Sequence, residues 1–262
     1  DITQSGKKTL ISHDGGSSFT DLHANGQGPL PGFGATRAEY CISDSLNVNG
    51  YHTLYAVFAS SNGRLKGVHR SINSGVDWCQ VGPASTTGFA PLTSRNGQGN
   101  YNLVIISTPY GEACILGGID LWQWTQTNST DCDNGQWAPV SSWSLPPNNP
   151  FYIHADNHRL LYDDQYNLIV GNDGGVQKKT GAIGAVFNKG YNVTQFYAMA
   201  FGGDGAVMGG AQDNGTQYND NVVPGNLEFQ EVMGGDGFEC EISYLDNDAM
   251  LASVYSADVR RS

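Results

Sequence analysis

The sequence predicts an all-β protein made of many short antiparallel strands. No helix-length segment repeats its apolar residues with the 3.6-residue period of an amphipathic helix. Glycine contributes 35 of the 262 residues, alongside 13 Tyr and 5 Trp, a composition typical of strands joined by tight turns. The apolar runs are short and are bounded by Gly, Asn, Asp, Ser and Pro. They include residues 53–58, 101–106, 167–170, 195–200 and 250–255.

The acidic composition narrows the classes of function. Lys plus Arg total 13 and Asp plus Glu total 25, so the formal net charge is −12. Such a surface repels phosphate backbones, and we therefore expect no nucleic-acid partner. No apolar run approaches the roughly 20 residues of a membrane-spanning helix, and we expect no membrane insertion.

The cysteines are too far apart for the usual zinc or thioredoxin-like motifs, because none of them forms a Cys-x-x-Cys pair. In an exported chain we expect two disulfides and one leftover thiol. Cys114 with Cys132 would bracket a Trp-rich loop, and Cys41 with Cys79 would close one repeat. The alternative is five buried free thiols, Cys240 included, in a reducing compartment.

Two octapeptides share the pattern Ser-x-Asp/Asn-x-Gly-x-x-aromatic, and each follows a predicted strand. Their defining residues are Ser12, Asp14, Gly16 and Phe19 in the first copy, and Ser71, Asn73, Gly75 and Trp78 in the second. A degenerate copy at 180–187 keeps the hydroxyl, the glycine and the aromatic residue. The short polar side chain can cap the hairpin turn, the glycine can take a positive φ, and the aromatic ring can pack beneath. The pattern resembles the Asp-box of sialidase-like β-propellers, where it is structural and not catalytic.

A second repeat joins an apolar strand to Gly, an amide residue, Asp and Gly. It occurs at 168–176 and 207–216, and a shorter Gly-Asp-Gly follows at 234–238. Together with 154–158, this order resembles secreted bacterial proteins with sortilin-like or Asp-box (BNR) β-propellers. The resemblance is close over residues 150–262, and over the first 150 residues it rests on the octapeptides and the blade spacing. It implies four-stranded antiparallel blades and a secreted or cell-surface location.

About five blades fit the repeat spacing over residues 1–262, as a single domain or as a fragment of a larger propeller. A propeller must close to bury its blade faces, so we expect the ring to be incomplete and the chain to belong to a longer protein or assembly.

Four aspartates occupy matching places in successive repeats: Asp156, Asp173, Asp213 and Asp236. Equivalent positions on the innermost strands of a propeller converge towards its axis, and converging carboxylates suit Ca²⁺. The sequence therefore predicts a calcium site. The alternative is that each aspartate caps its own glycine-rich turn and binds nothing.

His154, Asp156 and His158 alternate along the chain and have the ligand types of a transition-metal site. On a strand they would share one side and could converge on Zn²⁺. The alternative is that both histidines hydrogen-bond to neighbouring aspartates and brace the blade.

Trp122 and Trp124 also fall on one face of a predicted strand. Exposed indoles would stack on sugar rings or on a partner protein, whereas buried ones would pack between blades. We expect a non-catalytic propeller that binds a glycan or a protein and is stabilised by Ca²⁺.

The alternative function is a glycoside hydrolase. No Arg-Ile-Pro segment of the sialidase type occurs, but a generic glycosidase needs only two carboxylates at a suitable separation.

Overall fold

The computed structural model describes residues 9–22, 30, 35–82, 89–92, 97–128, 131–180, 194–220, 228–255 and 258–262, together with the backbone of 183–186. The chain divides into two compact units, Asp1–Phe187 and Asn188–Ser262. In the described part of the chain, no helix has the length and apolar character needed to cross a membrane.

Unit 1 contains one two-stranded sheet and three four-stranded antiparallel sheets, which we call blades 1 to 3. The two-stranded sheet pairs β1 (Leu10–Ile11) with β2 (Thr20–Asp21). Blade 1 consists of β3 (Ala35–Ile42), β4 (Leu54–Ser60), β5 (Leu65–Ser71) and β6 (Cys79–Gly82). Blade 2 consists of β7 (Val104–Ser107), β8 (Ala113–Gly117), β9 (Leu121–Gln126) and β10 (Gly135–Pro139). Blade 3 consists of β11 (Asn157–Tyr162), β12 (Leu168–Asn172), β13 (Gly175–Thr180) and β14 (Ile183–Val186).

Unit 2 contains blade 4, with four antiparallel strands, and blade 5, with three in the described residues. Blade 4 consists of β15 (Phe196–Phe201), β16 (Val207–Ala211), β17 (Thr216–Asn219) and β18 (Gln230–Met233). Blade 5 consists of β19 (Cys240–Ile242), β20 (Met250–Val254) and β21 (Asp258–Arg261). In every blade the strands pair in chain order. The predicted all-β class, the propeller blades and their approximate number are confirmed.

The first strands of successive blades are neighbours within each unit. β7 lies against both β3 and β11 in unit 1, and β15 lies against β19 in unit 2. This is the arrangement of propeller blades around their inner strands.

Blade 2 is buried on both faces, and strand β8 shows why. Cys114 and Leu116 pack in one apolar cluster with blade 1 residues such as Val57. Ile115, on the opposite face, packs in a second cluster with Leu160 of blade 3. Because alternate residues of a strand point to opposite faces, one apolar run contacts both neighbouring blades.

The two octapeptides form hairpin turns with the same hydrogen bonds. In the first, between β1 and β2, Ser12 Oγ accepts from the Gly16 N–H (2.8 Å) and Asp14 Oδ1 accepts from the Ser18 N–H (2.9 Å). The Ser18 hydroxyl, the Ser18 N–H and the Ser12 hydroxyl all donate to the Asp14 carboxylate, and these bonds lower its pKa to about 2. Phe19 is exposed and does not pack beneath its turn, contrary to expectation.

The second octapeptide, between β5 and β6, repeats this pattern. Ser71 Oγ accepts from the Gly75 N–H (2.8 Å) and Asn73 Oδ1 accepts from the Asp77 N–H (2.9 Å). Gly75 has a φ of 87°, which glycine adopts without strain. Half-buried Trp78 donates its ring N–H to the Gly75 carbonyl (3.0 Å). In the degenerate copy, Thr180 ends β13, the backbone of 183–186 forms β14, and 181, 182 and 187 lie outside the described residues.

The predicted disulfide pairing is wrong. Cys79 is bonded to Cys132, and Cys41, Cys114 and Cys240 are free thiols. The bond joins the last strand of blade 1 to the loop between β9 and β10 of blade 2. It therefore links two blades, a contact between distant segments that repeat spacing alone does not reveal.

Candidate functional site

The candidate site lies at one edge of blade 3 in unit 1. Asp156 immediately precedes β11, and Asp173 lies in the turn between β12 and β13. Antiparallel pairing of these strands brings the start of β11 next to the end of β12, since Asn157 pairs with Asn172. The segment that leads into β7 of blade 2 supplies the remaining side chains.

Asp173 is held by an aromatic residue and a histidine. The Tyr101 hydroxyl donates to Asp173 Oδ2 (2.8 Å), and His158 Nε2 lies 2.7 Å from Asp173 Oδ1. The rings of Tyr101 and His158 meet edge to face, with centroids 4.8 Å apart. His158 and Tyr101 remain partly accessible to solvent, the Tyr101 side chain with 49% exposure.

Asp156 is held by two amides. Gln98 Nε2 (3.2 Å) and Asn102 Nδ2 both donate to Asp156 Oδ1. Asp156 has a φ of 63°, a left-handed conformation that Asp tolerates better than most residues. A carboxylate oxygen of Asp156 lies within 4.8 Å of one of Asp173. Burial, and then the Asp173 charge, raise the pKa of Asp156.

Asn102 faces Asp156 with its amide nitrogen. Its side chain is fully buried, and among the described residues Oδ1 accepts no hydrogen bond. Carboxylate and amide oxygens are the donor types that calcium prefers. Of these side chains, the two carboxylates have the donor chemistry of a hard-cation site.

Arg37, on β3 of blade 1, fixes the segment that carries Tyr101 and Asn102. Its guanidinium donates to the carbonyls of Asn100 (3.2 Å), Tyr101 (2.8 Å) and Leu103 (2.9 Å). The sequence reading missed Arg37, Gln98, Tyr101 and Asn102. Tyr101 and Asn102 could have been found by position, because they precede the first strand of blade 2 as Asp156 precedes that of blade 3.

His158 makes the contact with an aspartate that the bracing alternative expects, whereas the described hydrogen bonds of His154 go to Gln177 and Ala155. His158 contacts Asp173 as described, while the His154 N–H donates to Gln177 Oε1 (2.7 Å) and its Nδ1 lies 3.1 Å from the Ala155 carbonyl oxygen. Within the described ranges, His154, Asp156 and His158 do not bring three ligand atoms to one point.

The other two predicted aspartates form a pair in unit 2. Asp213 lies in the turn between β16 and β17, and Asp236 lies in the loop before β19. The Asp213 N–H donates to Asp236 Oδ1 (2.9 Å). The Asp236 carboxylate therefore caps the turn that carries Asp213 and not its own turn.

Trp122 and Trp124 are core residues. Both side chains pack against blade 1, with 8% and 1% exposure. An indole that stacks on a sugar needs an exposed ring face. The expected ligand-binding role of this pair is therefore replaced by packing between blades.

No family model and no curated protein matches the sequence. Three solved structures are similar to it in their strand arrangement, and all three are β-propeller proteins. A GH74 xyloglucanase from Xanthomonas campestris has 14% identity and a TM-score of 0.37, with 95% of this chain and 32% of that chain covered.

YCF48 bound to D1 peptide has 13% identity and a TM-score of 0.38, covering 95% of this chain and 69% of that chain. The C-terminal WD40 domain of Sif2 has 11% identity and a TM-score of 0.29, covering 84% of this chain and 54% of that chain. This chain thus spans about a third of the length of the xyloglucanase.

Proposed function

We propose that this protein is a non-catalytic binding propeller whose site at Tyr101, Asp173 and His158 takes a glycan. The observation that carries the proposal is the half-exposed Tyr101 ring beside a fixed carboxylate and imidazole. An aromatic face packs on the C–H groups of a sugar ring, and carboxylate and imidazole groups hydrogen-bond to its hydroxyls. Arg37 anchors the Tyr101 segment, which lowers the ordering cost of binding.

The hydrogen bonds of the two aspartates support a binding role. Both oxygens of Asp173 already have partners, and Asp156 Oδ1 accepts from two amides. An ionised carboxylate has about four lone-pair sites, so these bonds fix the side chains and still leave sites that can accept from ligand hydroxyls. Side chains fixed in this way are suited to holding a ligand.

A glycoside hydrolase is the second candidate, and the pKa of Asp156 favours it. A raised pKa on one carboxyl beside a second carboxylate is the division of roles that glycosidases use. Retaining enzymes place the two carboxyl groups about 5–5.5 Å apart, and these two lie close together.

A glycan array combined with a hydrolysis screen tests both candidates. We expect glycan binding without turnover, and a loss of about tenfold or more in affinity for Tyr101→Ala and Asp173→Asn. Tyr166→Ala is the matched control, because Tyr166 is an exposed tyrosine in the turn between β11 and β12, at the other edge of blade 3. Turnover abolished by Asp156→Asn would overturn the binding proposal in favour of the hydrolase.

We further propose membership of the sortilin-like or Asp-box propellers and a secreted or cell-surface location. The matching hydrogen bonds of the two octapeptides support the first, and the Cys79–Cys132 disulfide supports the second. Thiol labelling in the cells that make the protein tests the location. We expect Cys79 and Cys132 to resist labelling because they form a disulfide. Labelling of both cysteines would place the protein in a reducing compartment.

A further inference from the structure

Three loops of unit 1 form a second surface, at the blade edge opposite the candidate site. They are 43–53 between β3 and β4, 72–78 between β5 and β6, and 108–112 between β7 and β8; we call their common surface the loop face. In an antiparallel blade these connections lie at one edge, whereas the loops that carry Asp156 and Asp173 lie at the other.

Hydrogen bonds join the three loops into one surface. The Ser45 N–H donates to the Pro109 carbonyl (2.8 Å), which connects blades 1 and 2. Asn47 Nδ2 donates to the Ile72 carbonyl (2.8 Å), and the His52 N–H donates to Ser74 Oγ (3.1 Å). The apolar side chains carried by these loops are therefore held at fixed relative positions.

In the described residues, the loop face exposes five large apolar side chains. Val48 is 88% exposed at the tip of a turn in which Asn47 Oδ1 accepts from the N–H groups of Asn49 (3.0 Å) and Tyr51 (3.3 Å). Tyr110 on the neighbouring loop is 63% exposed. The other exposed members are Leu46, Tyr51 and Val76. Grouped exposed apolar side chains on rigid loops are typical of protein interaction sites.

The charges on the loop face have one sign. Asp44, Asp77 and Glu112 are exposed, and the three loops contain no lysine or arginine. Two acidic faces repel each other, and an acidic face repels an anionic membrane, so charge disfavours a second copy of this chain and such a membrane. A cationic partner gains both in encounter rate and in affinity.

We propose that the loop face docks a protein segment in which aliphatic or aromatic side chains are flanked by Lys or Arg. The apolar side chains of the segment pack on Val48, Tyr110 and their neighbours, and its cations face Asp44, Asp77 and Glu112. This binding is separate from glycan binding, because the two surfaces share no residue.

Selection from a random-peptide phage library on the immobilised protein tests the proposal. We expect selected peptides to be cationic and apolar, and their affinity, measured by fluorescence anisotropy with synthetic copies, to fall about tenfold or more for Val48→Asp and Tyr110→Asp. Tyr244→Asp is the matched control, because it introduces the same charge at an exposed tyrosine of unit 2. Asp44→Lys combined with Glu112→Lys should weaken binding by a similar factor.

Several results would overturn the proposal. These are selected peptides with no cationic preference, binding insensitive to Tyr110→Asp, or binding unchanged by the double charge reversal. If the wild type self-associates and Val48→Asp abolishes this, the loop face binds a second copy of the chain. If the wild type sediments with phosphatidylcholine vesicles and Val48→Asp does not, the loop face binds a membrane. We expect Tyr110→Asp to bind glycans as strongly as the wild type. This measurement separates failure of the peptide proposal from failure of the glycan proposal.

Discussion

The contact between blades 1 and 2 is rich in aromatic residues and cross-linked, whereas the core of unit 2 is small. Tyr55, Trp122, Trp124 and Trp137 belong to the blade 1–blade 2 cluster, and Trp137 donates its ring N–H to the Val81 carbonyl (2.7 Å). Among the described residues of unit 2, the buried members of its cluster are the small set Ala200, Ala206, Met208, Cys240 and Ile242.

Arg70 adds a buried cation to the first region. Its guanidinium lies over the Trp124 ring (4.8 Å to the centroid) and donates to Gln126 and to the carbonyls of Gly111 and Cys132. In unit 2, by contrast, Phe201 on the first strand of blade 4 is 61% exposed. Since local stability follows buried apolar contacts, we expect unit 2 to open at a lower free energy than blades 1 and 2.

The largest expected effect comes from the disulfide. Replacing Cys79 and Cys132 together by serine releases a cross-link with a sequence separation of 53, which costs about 4 kcal/mol in the chain-entropy description. Hydrogen exchange monitored by mass spectrometry should show faster opening of blades 1 and 2, with unit 2 little changed.

Cys240→Ser is the control for that change, because Cys240 is a free, buried cysteine of unit 2. It should accelerate exchange in unit 2 alone. Equal acceleration of both units by the double variant would show that the disulfide does not set the difference between them.

A pH effect should be nearly as large and should also act on blade 1. His69 on β5 is buried beside Phe58, and burial lowers the pKa of His69 to about 4. Protonation therefore favours the unfolded chain, where a histidine has a pKa of about 6.5. The stabilisation is complete above pH 6.5 and is lost as the pH falls towards 4, by about 3 kcal/mol in total.

His69→Gln separates this titration from that of the carboxylates. The difference in unfolding free energy between wild type and variant, measured by urea denaturation from pH 7 to pH 4, should shrink as the pH falls. A constant difference would mean that His69 is not the titrating group.

The smallest expected effect is that of Ca²⁺. The predicted aspartates form one pair in each unit. Asp173→Asn tests whether the pair in unit 1 binds the ion, and Asp213→Asn tests the pair in unit 2. We expect millimolar Ca²⁺ to raise Tm and EDTA to lower it. At a hundredfold excess of the ion over Kd, binding adds about 2.7 kcal/mol to the free energy of unfolding. Each variant should reduce that difference.

Ionic strength must be constant in this comparison, because screening of a chain with net charge −12 could imitate weak binding. Identical melting curves with Ca²⁺ and with EDTA would leave the aspartates as turn caps.

The octapeptides and the blade strands could be predicted because their signals are local. Ser71, Asn73 and Gly75 satisfy one another within a single turn, and a strand such as β8 is marked by its own apolar run. Asp156 and Asp173 could likewise be selected as candidates, since each follows from its place in a repeat.

The tertiary structure decided which distant segments meet. The sequence by itself determined an all-β chain with acidic turns, because strand period and turn chemistry act over a few residues. It did not determine that Cys79 bonds to Cys132, that Trp124 is buried, or that Tyr101 reaches Asp173 from the neighbouring blade. Those contacts depend on how one blade packs on the next, and the packing of side chains from separate blades has no signature within either segment.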